Sequence, residues 1–214
     1  MTYTPIPAGT INWNIPLEAN QADLQAQVTT NGASITTLVN LTDALDWQAD
    51  DMGLLGWAFD PVIATGTQIL VSGNVYWVKI PVRKATTITN IRYTISTAGS
   101  TLTAGQNFVG LYDASGTRLG ISADLAADWA GAPNTRETPL TAPVAVGIGF
   151  YYAAFMSNGT TPITVTRGQS TSTSAINMGG SLRYVETTGN VALPASFVPG
   201  SANQSASARW AAFT

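Results

Sequence analysis

The stretch 17–45, LEANQADLQAQVTTNGASITTLVNLTDAL, carries a heptad repeat that decides the organisation of the chain. Leucine recurs every seventh residue, with an asparagine in the central turn, and a second set of residues lies four positions further on in each heptad. Together they form one predicted seam: Leu17, Gln21, Leu24, Val28, Asn31, Ile35, Leu38, Thr42 and Leu45. This 3-4 spacing gives one narrow helical stripe, as in a parallel coiled coil. We predict a stalk over 17–45, about 45 Å long at about 1.5 Å per residue.

The weakest point of the predicted helix is the tetrapeptide Thr29-Thr30-Asn31-Gly32. Two β-branched residues and a glycine lower the helix propensity by about 1 kcal/mol or more, and Asn-Gly is a turn pattern. The alternative is therefore a hairpin of two short helices broken at Asn31-Gly32. The heptad phase is the same on both sides of Gly32, which favours one helix. The number of chains stays open, because Val and Ile alternating with Leu favour two strands.

The segment 28–35, VTTNGASI, resembles segments in the trimeric stalks of phage fibres and trimeric bacterial adhesins. In those stalks three inward-pointing asparagine side chains hold an anion, usually chloride, on the axis. The resemblance implies a homotrimer and an axial chloride at Asn31. Those segments often have threonine after the asparagine, where this chain has Gly32. We predict no other cofactor.

Residues 1–16, MTYTPIPAGTINWNIP, contain three prolines, which favour an extended segment. Its apolar and aromatic side chains predict an anchor peptide that docks into a partner, and a disordered terminus is the alternative. The anchoring residues would be Tyr3, Ile6, Ile11 and Trp13. With the heptads, this opening is similar to the start of many actinobacteriophage fibre and minor structural proteins. Segments 53–61 (GLLGWAFDP) and 76–82 (YWVKIPV) also resemble phage fibre heads.

The region 62–214 consists of short segments that alternate apolar and polar residues and are separated by turn residues, which is typical of antiparallel strands. Only 121–130 has a helical pattern. Eight to ten strands in about 150 residues predict a jelly-roll-like β-sandwich. The predicted fold class is thus mainly β, with this head joined by a neck, 46–61, to the N-terminal parallel trimeric coiled coil. The predicted strands are 67–72, 75–82, 86–97, 106–112, 117–123, 135–141, 148–157, 161–167, 181–185 and 208–213.

The composition restricts the possible chemistry. The chain has no cysteine and no histidine, which excludes disulfides, thiolate or imidazole metal sites and catalysis by Ser-His-Asp or Cys-His groups. Asp43, Asp46, Asp50 and Asp51 lack the spacing of an EF-hand loop, so we predict a solvated acidic neck and no metal site. The spacing of Asp124 and Asp128 would place both on one helical face, which is more typical of a polar surface than of catalysis. We predict no catalytic residue and no enzyme.

The charges are unevenly distributed along the chain. Residues 1–78 contain seven acidic and no basic residues, whereas 79–214 contain nine basic and five acidic residues. The basic residues are scattered, so nucleic acid is not the expected partner. No stretch approaches about 18 consecutive apolar residues, which predicts no membrane insertion. The opening MTYTP lacks the pattern of a secretion signal. We therefore expect a protein made in the host cytoplasm and carried on the virion surface.

Shallow sugar sites combine aromatic faces with polar side chains. The candidate ligand-binding residues are Trp129, Arg136, Tyr151 and Tyr184, and the core is the alternative place for each aromatic ring. These features and the resemblance predict a phage virion protein that forms a homotrimeric fibre or spike. Its N-terminus would bind a capsid or tail protein and its heads a host-surface glycan. The alternatives are a capsid head fibre or decoration protein without a receptor, and a secreted carbohydrate-binding module.

Overall fold

A computed structural model describes residues 14–43, 47–169, 172–180 and 182–214; within the N-terminal helix, side chains are described for 19 and 21–35. The chain divides into two compact units, Met1–Trp47 and Gln48–Thr214. The first contains one long helix and the second contains all of the described strands. The predicted neck therefore belongs, from Gln48 onward, to the second unit.

Helix α1 extends from Asn14 to Asp43 without a break, as the continuous heptad phase predicted, and the alternative hairpin at Asn31-Gly32 is not formed. The hydroxyls of Thr29 and Thr30 donate to the carbonyls four residues earlier, each at 2.9 Å, so that both are satisfied within the helix. None of the described helices is long and apolar enough to cross a membrane.

The second unit is mainly β, with two antiparallel sheets consistent with a β-sandwich. Two short helices interrupt it, α2 (Ala126–Trp129) and α3 (Thr173–Ile176), and there are 3-10 turns at Asp50–Met52, Pro61–Ile63, Met178–Gly180 and Pro199–Ser201. The strands are β1 (Gly56–Trp57), β2 (Gly66–Ile69), β3 (Val75–Val82), β4 (Thr86–Thr97), β5 (Ser100–Asp113), β6 (Arg118–Ile121), β7 (Thr135–Val146), β8 (Gly149–Thr161), β9 (Thr164–Arg167), β10 (Tyr184–Thr187), β11 (Asn203–Gln204) and β12 (Ala212–Phe213).

The first sheet is organised around β4, which pairs with β7, β9 and β12; β12 also pairs with β1, and β9 with β2. The second sheet has the order β11-β10-β3-β8-β5-β6. The largest cluster of buried apolar side chains draws on both sheets, as expected for facing sheets. On β4 this core takes the alternate residues Ile91, Tyr93 and Ile95, which leaves Arg92 and Thr94 on the opposite face of the strand.

The second sheet is buried on both faces. Residues Val75 to Val78 are buried without alternation, because Trp77 and Val75 pack in a second cluster away from the main core. The segment that follows β10 covers this second cluster through Phe197, whose ring stacks on Trp77 at a centroid distance of 4.1 Å. The bounds of the strands predicted at 75–82 and 86–97 are confirmed.

Of the helix predicted at 121–130, only α2 is formed, because side chains that precede α2 bond to the neighbouring strand β5. Asp124 Oδ1 accepts a hydrogen bond from the backbone N–H of Asn107 at 3.1 Å, and Ser122 Oγ accepts one from Val109 N at 3.1 Å. These bonds hold 122–125 beside β5 in a non-helical conformation. Asp124 therefore lies outside α2, and the two aspartates do not share a helical face.

Candidate functional site

The apolar stripe of α1 is the first candidate site. Of the predicted seam, Gln21, Leu24, Val28, Asn31 and Ile35 have described side chains, and all five are exposed in the single chain. Leu24 is 61% exposed, Val28 69% and Ile35 62%. They are also the only large apolar residues between positions 21 and 35. The described part of α1 thus has one apolar stripe that the single chain leaves uncovered.

The remaining seam and anchor residues are only partly covered by the structure. Leu17, Leu38 and Thr42 lie within α1, but their side chains are outside the described set. Leu45 and the four anchor residues, Tyr3, Ile6, Ile11 and Trp13, lie outside the described residues. Asn31, the predicted anion ligand, is on the exposed stripe between Val28 and Ile35.

Two of the predicted ligand-binding aromatics are core residues, which corrects the sequence-based interpretation. Trp129 is 0% exposed, and its Nε1 donates to the hydroxyl of Tyr93 at 2.7 Å. Burial raises the pKa of Tyr93 to about 12. Tyr184 is 2% exposed within the main core, and burial raises its pKa also. Neither ring has a face that a sugar can reach.

The other two predicted ligand residues make internal contacts. The guanidinium of Arg136 donates to the backbone carbonyls of Asp128 and Ala132 at 3.0 and 3.1 Å and pairs with the Asp128 carboxylate at 3.2 Å. It therefore fastens the loop between α2 and β7. Tyr151 is half-buried against the main core, and its hydroxyl donates to the carbonyl of Gly147 at 3.2 Å. The structure does not bring the four candidates together into one site.

A second candidate site, which the sequence analysis missed, is a cavity of about 290 Å³ in the second unit. We call it the Arg92 groove. It is lined by Met52, Leu54, Pro61, Ala64, Arg92, Thr94, Thr135, Thr166 and Trp210. The period-two pattern of β4 does place Arg92 and Thr94 on the face away from the core. The contributions from β7, β9 and the last ten residues depend on long-range pairing that one sequence does not reveal.

The lining of the Arg92 groove is chemically divided. The segment 52–64 and Trp210 supply apolar surface, and the strands supply hydroxyls and one guanidinium. Trp210 is fixed in place because its Nε1 donates to the carbonyl of Phe59 at 3.0 Å. Since that N–H is already bonded, Trp210 offers a ligand only its carbon surface. The groove can therefore bind a small ligand that has both an apolar face and polar edges.

Among the described residues, no group of three or more acidic side chains is placed to hold a metal ion. Glu137 accepts hydrogen bonds from Thr214 and Asn90 at 2.8 and 3.3 Å and lies 3.8 Å from Arg92.

No protein-family model matches the chain, and a search of curated proteins returns no match.

Proposed function

We propose that this chain is a phage virion structural protein that forms a homotrimeric fibre or spike and has no enzymatic activity. Its N-terminal segment anchors to a capsid or tail protein, α1 forms a parallel trimeric coiled coil, and jelly-roll-like heads contact the host surface. The observation that carries the proposal is the 30-residue helix in which Leu24, Val28 and Ile35, the large apolar residues of its described part 21–35, all lie on one exposed heptad stripe.

The exposed stripe favours assembly for an energetic reason. Isolated helices are marginal in water, and most of their stability in proteins comes from packing of an apolar face. Burying a Val or Ile side chain contributes about 1.5–3 kcal/mol, so Val28 and Ile35 together supply several kcal/mol for each chain. The choice of three chains rests on the resemblance of 28–35 to trimeric stalk segments, and a chloride bound by three copies of Asn31 belongs to the same proposal.

The head is closely packed on both sides of its second sheet. Apolar clusters lie against both faces of that sheet, and its aromatic rings make edge and stacked contacts. Three such heads on one stalk would bind a host surface together, so that weak individual contacts add up by avidity. A head of this kind therefore needs only a modest site for a surface glycan.

Two charge substitutions on the stripe test the proposed assembly. Val28→Asp with Ile35→Asp places charges where chains would meet, and desolvating an unpaired charge is costly. We expect this variant to sediment as a monomer. The matched control, Ala26→Asp with Ala33→Asp, adds the same charges on the opposite face of the helix and should keep the wild-type mass. Equal masses for the two variants would contradict the proposed seam.

Binding to host cells tests the adhesive role separately. Fluorescently labelled wild-type protein should bind host cells at micromolar concentration, and the monomeric seam variant should bind far less because avidity is lost. Absence of binding by a protein that does assemble would favour a decoration protein without a receptor.

A further inference from the structure

We propose that the Arg92 groove binds a sugar that carries a carboxylate, such as a uronic acid unit of a surface polysaccharide. The inference deepens the proposed function, on which it rests, by naming the ligand class that the head recognises. All of the lining residues belong to the second unit, so the groove is complete within one head.

Arg92 provides the site for the carboxylate. Within the described residues its guanidinium makes no hydrogen bond, and its ion pair with Glu137 is long at 3.8 Å. Glu137 is itself hydrogen-bonded by Thr214, so it does not depend on Arg92 for a partner. Arg136, by contrast, uses its guanidinium on two carbonyls and a carboxylate. Because the planar guanidinium of Arg92 has its ion pair with Glu137 but no hydrogen bond within the described residues, its N–H groups can donate two parallel hydrogen bonds to a ligand carboxylate.

Threonine hydroxyls provide sites for the sugar hydroxyls. Thr94 Oγ1 and Thr135 Oγ1 are 3.0 Å apart and share one hydrogen bond. Because each hydroxyl can donate once and accept twice, the pair keeps a donor and several acceptor positions. The hydroxyl of Thr166 makes no hydrogen bond within the described part of the chain. Three such hydroxyls beside a guanidinium match the edge of a polyhydroxylated acid.

The apolar lining matches the other face of a sugar ring. Pyranose rings have C–H faces that pack on apolar carbon, and the groove supplies Met52, Pro61 and Ala64 for that contact. Met52 is 50% exposed and can adjust to a ligand, and Pro61 and Ala64 are half-buried, whereas Leu54 and Trp210 are almost fully buried. A volume of about 290 Å³ is close to the lower end, about 300 Å³, of small-molecule sites. It therefore suits a single ring.

Saturation-transfer NMR with the full-length protein tests the proposal, with glucuronic acid as the probe and glucose as the neutral reference. We expect glucuronic acid to bind with a dissociation constant on the order of millimolar and at least tenfold more tightly than glucose. Arg92→Gln should remove that preference. The control Arg83→Gln, which removes the same charge from an exposed position on the same unit, should leave it unchanged.

Thr166→Val provides a second variant, because it keeps the side-chain shape and replaces the hydroxyl by a methyl group. It should weaken binding of both sugars without removing the preference for the acid. Equal affinity for the two sugars, or an equal loss in the Arg92 and Arg83 variants, would overturn the inference. Failure of the trimer or of cell binding, with the acid preference intact, would instead contradict the proposed function alone.

Discussion

Replacing Tyr93 by Phe would remove one oxygen atom from the centre of the sandwich. That oxygen accepts a hydrogen bond from Trp129 Nε1 at 2.7 Å and lies 2.8 Å from Thr138 Oγ1. All three residues are buried, at 0%, 0% and 4% exposure for Tyr93, Trp129 and Thr138. A buried donor left without a partner costs about 1–3 kcal/mol. Because a second hydroxyl also loses its partner, we expect the free energy of unfolding to fall by about 2–4 kcal/mol.

The same chemical change at Tyr151 is the matched control. The hydroxyl of Tyr151 makes one 3.2 Å bond to Gly147 near solvent, so Tyr151→Phe should change stability by less than about 1 kcal/mol. Urea unfolding gives the free energy of unfolding of both variants. It is monitored by near-ultraviolet circular dichroism, because that spectrum reports the packing of the aromatic rings. Equal effects of the two substitutions would refute the assignment of Tyr93 and Trp129 to one buried network.

A double-mutant cycle separates the hydrogen bond from the general loss of packing. In a Trp129→Phe background there is no indole N–H to leave unpaired, so Tyr93→Phe should cost less than it does in the wild type. We expect a coupling free energy of about 1–2 kcal/mol, within the range of about 0.5–3 kcal/mol measured for residues in contact. Additive effects would show that Trp129 and Tyr93 do not stabilise each other.

Three further substitutions test other parts of the molecule. Phe197→Ala should lower the free energy of unfolding by about 3–5 kcal/mol in urea titrations, because it uncovers Trp77; a loss below 1 kcal/mol would contradict that packing. Burial raises the pKa of Asp113, but hydrogen bonds from the turn that follows outweigh it and the pKa is lowered. Its stabilising contribution is therefore present above about pH 4 and lost as the pH falls through the lowered pKa. The free energy of unfolding of Asp113→Asn, measured from pH 2 to 7, should therefore fall less on acidification than that of the wild type. An equal fall in the two proteins would contradict this contribution of Asp113. Gly32→Ala should raise the helix melting temperature, since alanine favours a helix by about 1 kcal/mol and, apart from its two neighbouring residues and the local helix backbone, no described atom lies within 4 Å of the added carbon; a lower melting temperature would argue against this.

Local sequence patterns predicted the elements whose conformation depends mainly on local residues. The heptads predicted a continuous helix despite Asn31-Gly32, and the alternation of 86–97 predicted β4 with its bounds. The strand at 75–82 was likewise predicted with its bounds, but period-two alternation does not describe its burial, since residues on both faces of β3 are buried over 75–78. The cause is the segment around Phe197, more than a hundred residues away, which covers one face.

The candidate ligand residues were harder to predict for a related reason. An aromatic residue in a sandwich contributes to the core or to the surface according to which strands pair, and Trp129 and Tyr184 have their partners on distant strands. The Arg92 groove likewise combines residues from five separate parts of the chain. Composition showed the residue types present, but only the pairing of β4 with its neighbours brings Arg92, Thr135 and Thr166 together.

Sedimentation equilibrium of the full-length wild-type protein tests the proposed assembly most directly. The seam of α1 leaves Leu24, Val28 and Ile35 exposed in a single chain, and our account requires two further chains to cover them. We predict a mass three times that of the 22.3 kDa chain, independent of loading concentration in the micromolar range. A monomer would contradict the account of α1 as an assembly helix, and a dimer would contradict the trimeric fibre.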